Sequence, residues 1–167
     1  MKLSLEISVS SALWRRLPRS RTMARETIAA CVAESGLVAR DRAEVSLCLA
    51  DDAQLRALNA RWRSLDKPTN VLSFPAVPPD RIAKAPMLGD VALAYETMKR
   101  EADESGVELA NHYRHLVAHG FLHLIGYDHQ TDEEAERMEA LEKRILARLG
   151  APDPYAPGVV EAGVVEE

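Results

Sequence analysis

His119-Gly-Phe-Leu-His123-Leu-Ile-Gly126-Tyr-Asp128-His129 packs three imidazoles into eleven residues, and the apolar residues around them decide the fold. Leu116, Val117, Ala118, Phe121 and Leu122 leave no polar side on a helix expected over residues 108–125. A helix apolar all round is buried, so the first two histidines sit beside the core of the domain. His119 and His123 are i and i+4, on one face and about 6 Å apart along the axis, close enough for both Nε2 atoms to meet one ion at roughly 2.0–2.1 Å. Gly126 permits the positive φ that ends a helix, and the chain can then return His129 as a third ligand. Three neutral nitrogens with one open position describe a catalytic site for one Zn2+ per chain, since a structural site is usually closed by a fourth protein ligand. His112 and His115, earlier on the same helix, read as core histidines with satisfied rings.

The spacing HxxxHxxGxxH is shared with the metzincin proteases, and the difference between them lies in one residue. A zinc protease carries Glu directly after the first histidine as its general base. Here that position is Gly120. Peptide hydrolysis loses its usual proton acceptor, which favours another hydrolytic reaction. Asp128, beside the third histidine, has two readings. It either supports the metal site as a hydrogen-bonding carboxylate or proton acceptor, or it bonds nearby backbone N–H groups at the approach to the next helix.

Outward from this motif the chain reads as strands early and helices late. Leu3, Leu5, Ile7 and Val9 alternate with polar residues, the period of a half-buried strand, and Val45, Leu47 and Leu49 do so again. A short helix spans about 11–17 before Pro18. Another runs from about 22 to 35, stopped by Gly36. Asp51 and Gln54 resemble a capping box, opening a helix whose apolar stripe is Leu55, Leu58 and Trp62. Residues 70–74 form a short strand, and Pro75, Pro78, Pro79 and Pro86 make the following loop neither helix nor central strand, so it is either mobile or laid over another part of the molecule. Residues 87–94 are a fourth strand. Helices follow at about 96–105 and 108–125. The last helix opens on a Thr131–Glu134 capping box and carries the stripe Met138, Leu141, Ile145 and Leu149. The expected architecture is a single α+β domain over residues 1–150, a four-stranded mixed sheet with about five helices. Residues 151–167, rich in Pro and polar residues, read as an unpacked, disordered tail.

At 167 residues, with 28% charged and 47% hydrophobic residues, the composition is that of one soluble globular domain. Glu6 interrupts any signal-peptide apolar region and no run is long enough to span a bilayer, so a cytoplasmic protein is expected. Cys31 and Cys48 fit no metal-ligand pattern and read as reduced core thiols. The net charge of −5 is uneven: residues 11–84 hold 13 Lys/Arg against 8 Asp/Glu, and residues 85–167 hold 7 against 17. A basic N-terminal half permits a nucleic-acid surface on part of the molecule.

A second constellation lies in residues 63–74, RSLDKPTNVLSF, where Arg63 offers a planar fork for phosphate oxygens and Lys67 a point charge. This segment and HGFLHLIGYDH, with LGDVALA between them, resemble the YbeY family of bacterial endoribonucleases over roughly residues 45–146. The resemblance implies a zinc-dependent hydrolase that cleaves single-stranded RNA, matures the 3′ end of small-subunit ribosomal RNA and supports ribosome quality control. It places the family's metal histidines on His119, His123 and His129 and its functional arginine on Arg63. The implied partners are single-stranded RNA, ribosomal RNA and the small ribosomal subunit, with neither DNA nor a membrane. Residues 10–20 and the tail after Gly150 are less typical of the family. Asp128 is the candidate proton acceptor and Lys67 a candidate substrate contact. The nucleophile stays open between a metal-activated water and the RNA 2′-OH. Two other classes remain, a metallopeptidase and a non-catalytic ribosome assembly factor whose metal is structural.

Overall fold

In the computed structural model, which describes residues 1–156, the early alternation becomes strand β1 (Ser4–Val9), with Leu5 and Ile7 turned inward and Ser4 and Glu6 exposed. The chain continues through helix α1 (Ser20–Ser35), β2 (Glu44–Ala50), α2 (Asp52–Arg63), β3 (Val71–Pro75), β4 (Met87–Ala94), α3 (Tyr95–Ser105), α4 (Leu109–Leu124) and α5 (Asp132–Arg148). Short 3-10 turns at Ala12–Arg16 and Pro79–Lys84 complete it. The sheet order is β1-β2-β4-β3, with β1, β2 and β4 parallel and β3 antiparallel to β4, so the α+β mixed sheet expected from the sequence is observed.

The sheet has two unequal sides. Val45, Leu47, Leu49, Val91 and Leu93 join residues of α1, α4 and α5 in the main core, while Leu55 of α2 packs on Ala50, Leu72, Ala92 and Ala94 on the opposite face. Helix α4 is buried continuously from His115 to Leu122, as its apolar sequence demands. Thr131 and Glu134 form both arms of their capping box. The Asp51 box is half made: its carboxylate accepts from the Gln54 backbone N–H (2.9 Å), but the Gln54 side chain instead accepts from Ser10 Oγ (2.6 Å). Among the described residues no helix is long and apolar enough to cross a membrane.

Three expectations need correction. The proline-containing loop, expected to hold no helix and to be either mobile or laid over another part of the molecule, lies over the core but does form a 3-10 turn at Pro79–Lys84, because Pro78 and Pro79 stand at its start, where a missing N–H is harmless, and Ile82 and Ala85 enter the core. Trp62, read as part of the α2 stripe, is 60% exposed, and it does not join the cluster in which Leu55 and Leu58 pack on the sheet. The tail does not begin at residue 151. Ala151 is buried and donates its N–H to the Leu146 carbonyl (2.8 Å), and Tyr155 reaches back to Glu142 on α5. A buried carboxylate gives the Tyr155 hydroxyl a strong acceptor, which holds residues 151–156 against the domain; residues 157–167 of the expected tail lie outside the described residues. Cys31 is buried and Cys48 half-buried, and neither forms a disulfide. Burial, aided by the nearby Glu142 charge, pushes the Cys31 thiol well above its ordinary pKa, as suits an inert core thiol.

Candidate metal centre

Helix α4 brings His119, buried, and His123, half-buried, onto one face, with their Nε2 atoms 3.0 Å apart. Gly126 then ends the helix: its N–H donates to the His123 carbonyl (3.2 Å) and that of Tyr127 to the Leu122 carbonyl (3.0 Å), with φ of 105° at Gly126. A Cβ at Gly126 would stand 2.9 Å from Pro79 Cγ, so the turn is seated on the Pro79–Lys84 segment and only glycine fits. The chain returns with the exposed His129 ring 5.7 Å from that of His119 and 5.3 Å from that of His123, centre to centre. One nitrogen from each ring lies within 4.8 Å of the others. Two ligands sharing one tetrahedral ion at about 2.0–2.1 Å stand roughly 3.3–3.4 Å apart, so small adjustments of the rings suffice to close on a metal.

The protonation pattern fits a metal as well. His119 Nδ1 is 2.7 Å from Glu142 Oε2, and an ionised carboxylate only accepts. The proton of the neutral ring therefore sits on Nδ1, and the lone pair of Nε2 faces His123 and His129. Glu142, on α5 and fully buried, also takes a hydrogen bond from His115 Nε2 on Oε1 (2.8 Å), where the Tyr155 hydroxyl donates too. Burial alone would push the Glu142 carboxyl up, but the hydrogen bonds it accepts from His115 and His119 outweigh it and hold Glu142 well below the usual carboxylate range. His115, His119 and Glu142 also lie close enough to hold an ion. They share His119 with the first group and are sealed from solvent. The three-histidine group is reached through exposed His129, and the buried group reads as its support.

Sequence reasoning missed Glu142 and Tyr155. The signal for Glu142 was present: it is i+4 from Met138 and i−3 from Ile145, an acid inside the apolar stripe of α5. Nothing comparable marked Tyr155. Removing the anionic acceptor is expected to matter: Glu142→Gln should weaken metal binding by about 10–100-fold in chelator competition while circular dichroism stays unchanged. Wild-type affinity in that variant would exclude an orienting role.

Asp128 Oδ1 accepts from the His129 backbone N–H (2.8 Å), the backbone bond of its two readings, and so stiffens the turn that carries the third histidine. Arg63, at the end of α2, donates from Nη2 to the Ser73 carbonyl (2.7 Å), with its guanidinium carbon 5.1 Å from the centre of the Phe74 ring. Ser73 in turn donates Oγ to the Gly120 carbonyl (2.8 Å), so Arg63 and the histidine helix meet the same residue of edge strand β3. Lys67 stays exposed on the α2–β3 loop, anchored by its carbonyl, which accepts from Asn59 Nδ2 (3.0 Å). Gly120 faces the sheet: a Cβ there would lie 2.8 Å from Val91 Cγ1 and 3.1 Å from Val71 Cγ2.

Fold and geometry together define an α+β domain able to hold one metal ion between a buried helix and the turn that ends it. The family model described as endoribonuclease YbeY matches residues 14–150. The endoribonuclease YbeY of Bradyrhizobium diazoefficiens is 54% identical over 155 residues, covering 90% of this chain and 84% of that protein. Its counterpart from Methylocella silvestris is 49% identical over 155 residues, covering 93% and 87%. The chain belongs to the YbeY family. Among solved structures, the solution structure of TM1509 from Thermotoga maritima shares the fold, with a TM-score of 0.56 at 21% identity over 92% of this chain and 99% of that one.

Proposed function

We propose that this protein is a zinc-dependent endoribonuclease that cleaves single-stranded RNA and acts in the cytoplasm on the 3′ end of small-subunit ribosomal RNA and in ribosome quality control. The observation that carries the reading is the convergence of His119, His123 and His129, with the His119 lone pair fixed by Glu142, in a member of a family whose named relatives are endoribonucleases. The ribosomal part rests on the family resemblance alone.

Zinc held there would polarise a phosphoryl oxygen and acidify a water molecule toward a pKa of ~7. The chain's own residues do the rest. The three imidazoles would hold the ion, and the Glu142 carboxylate would keep His119 in the tautomer that can bind it. The Ser73 carbonyl preorganises Arg63, whose planar fork suits the oxygens of a phosphodiester gathering negative charge. Asp128, which precedes His129 in the chain and is bonded to its backbone N–H, is the candidate acceptor for the proton of the attacking water or 2′-OH. A peptidase is disfavoured because the position after the first histidine packs on the sheet, where no carboxylate could face the ion. A purely structural metal is disfavoured by the exposure of His129.

Arg63→Ala should keep metal and fold but lower the single-turnover rate on single-stranded RNA at saturating enzyme by ~10²–10³, the usual cost of one lost electrostatic donor. Arg63→Lys should restore part of it, since a point charge cannot reproduce a bidentate fork. A wild-type rate at saturation in Arg63→Ala, with the loss confined to KM and shrinking at low salt, would make Arg63 a binding residue instead.

A further inference from the structure

Trp62 stands on the α2 stripe that faces the sheet, seven residues after buried Leu55 and four after half-buried Leu58, yet 60% of it is exposed. A single exposed apolar residue is ordinary, but an indole left open at the end of a helix offers a large flat face, and its neighbours decide what that face can hold. Its surroundings are cationic. The Arg61 guanidinium carbon lies 4.9 Å from the Trp62 ring centre, Arg63 follows directly, and Lys67 is exposed on the next loop. Asp66, the acid of that loop, is neutralised by a two-pronged pair with Arg56 (2.7 and 3.2 Å). Through Arg63, Ser73 and the Gly120 carbonyl the patch is tied to the histidine helix.

An open aromatic face among cations is the composition by which proteins hold single-stranded nucleic acid: cations follow the backbone and the ring stacks on a base, whatever its identity. Membrane-surface or protein-docking sites would need a larger apolar area than one indole. We propose that Trp62 is a stacking platform for an unpaired base of the RNA next to the phosphate taken by Arg63, with Arg61 backing the opposite face of the ring. The proposal rests on the RNA-cutting reading of the site. It adds a base-binding subsite without sequence preference.

The chain has two tryptophans, and Trp14 is only 2% exposed, so quenching of intrinsic fluorescence by RNA reports on Trp62. The zinc-loaded enzyme is mixed in a stopped-flow instrument with a short unstructured oligoadenylate, and cleavage is followed in parallel. Stacking predicts quenching in wild type. Trp62→Ala should weaken RNA binding roughly 5- to 150-fold, appearing in KM rather than in the rate at saturating RNA; Trp62→Phe should recover most of it and Trp62→Leu should not. An enzyme that cuts the oligomer without quenching, or a Trp62→Ala variant with wild-type KM, overturns the stacking role and leaves the endoribonuclease reading intact. A wild-type enzyme that neither binds nor cuts the oligomer overturns both.

Discussion

His123→Ala is expected to take bound zinc from about one ion per chain to near zero in elemental analysis, and RNA cleavage with it. The ring is half-buried and lines the opening of the site, so its loss leaves the core of α4 in place and far-ultraviolet circular dichroism should not change. His119 stays bonded to Glu142, and exposed His129 is left as its one partner from the cluster; two imidazoles, one on a surface turn, make a weak site. The affinity loss should therefore exceed the ~10–100-fold that follows loss of a supporting hydrogen bond, and be larger than that of Glu142→Gln. Full occupancy in the variant would remove His123 from the ligand set.

Gly120→Glu should not yield a peptidase; it should unfold the domain more easily. The new Cβ alone would meet Val91 Cγ1 at 2.8 Å, Val71 Cγ2 at 3.1 Å and Ser73 Oγ at 3.3 Å, all side chains of the two strands beneath α4. Overpacking of this kind costs ~1–3 kcal/mol, and pressing a carboxylate between helix and sheet adds a desolvation cost. A loss of ~3 kcal/mol or more corresponds to a fall in Tm of roughly 6–12 °C for a domain of this size. Gly120→Ala, carrying the packing cost without the charge, should fall between the wild type and Gly120→Glu in stability. An efficient peptidase of wild-type stability would mean that this face of α4 does not rest on the sheet.

The convergence of the three histidines was legible because local rules govern it. The i, i+4 spacing, the apolar surround of α4 and the glycine that ends it fix where two histidines point and let the third return, and no long-range information is needed. The strands announced themselves by alternation for the same reason. Sheet order was not legible, because the pairing of β4 between β2 and β3 depends on crossovers between segments far apart in sequence. Glu142 escaped since a buried acid among Met138, Leu141 and Ile145 has meaning only once α5 packs against α4 and brings it to His115 and His119. Tyr155 escaped because Pro and polar neighbours hide a single anchoring hydroxyl. Trp62 was misplaced by the same periodicity that worked elsewhere: the stripe is real, but a stripe does not say where the sheet beneath it ends. Asp128 showed both of its readings in the sequence, and the backbone bond to His129 is visible only in the folded turn.

The most direct test is single-turnover cleavage of a defined single-stranded RNA by the wild-type protein, stripped with a chelator, dialysed and then restored with zinc, with casein as a parallel substrate. The three-histidine centre predicts that RNA cleavage disappears on stripping, returns with about one equivalent of zinc, does not return in His123→Ala, and that casein stays intact throughout. RNA cleavage at full rate in the stripped protein, or metal-restored cleavage of casein but not of RNA, would contradict it.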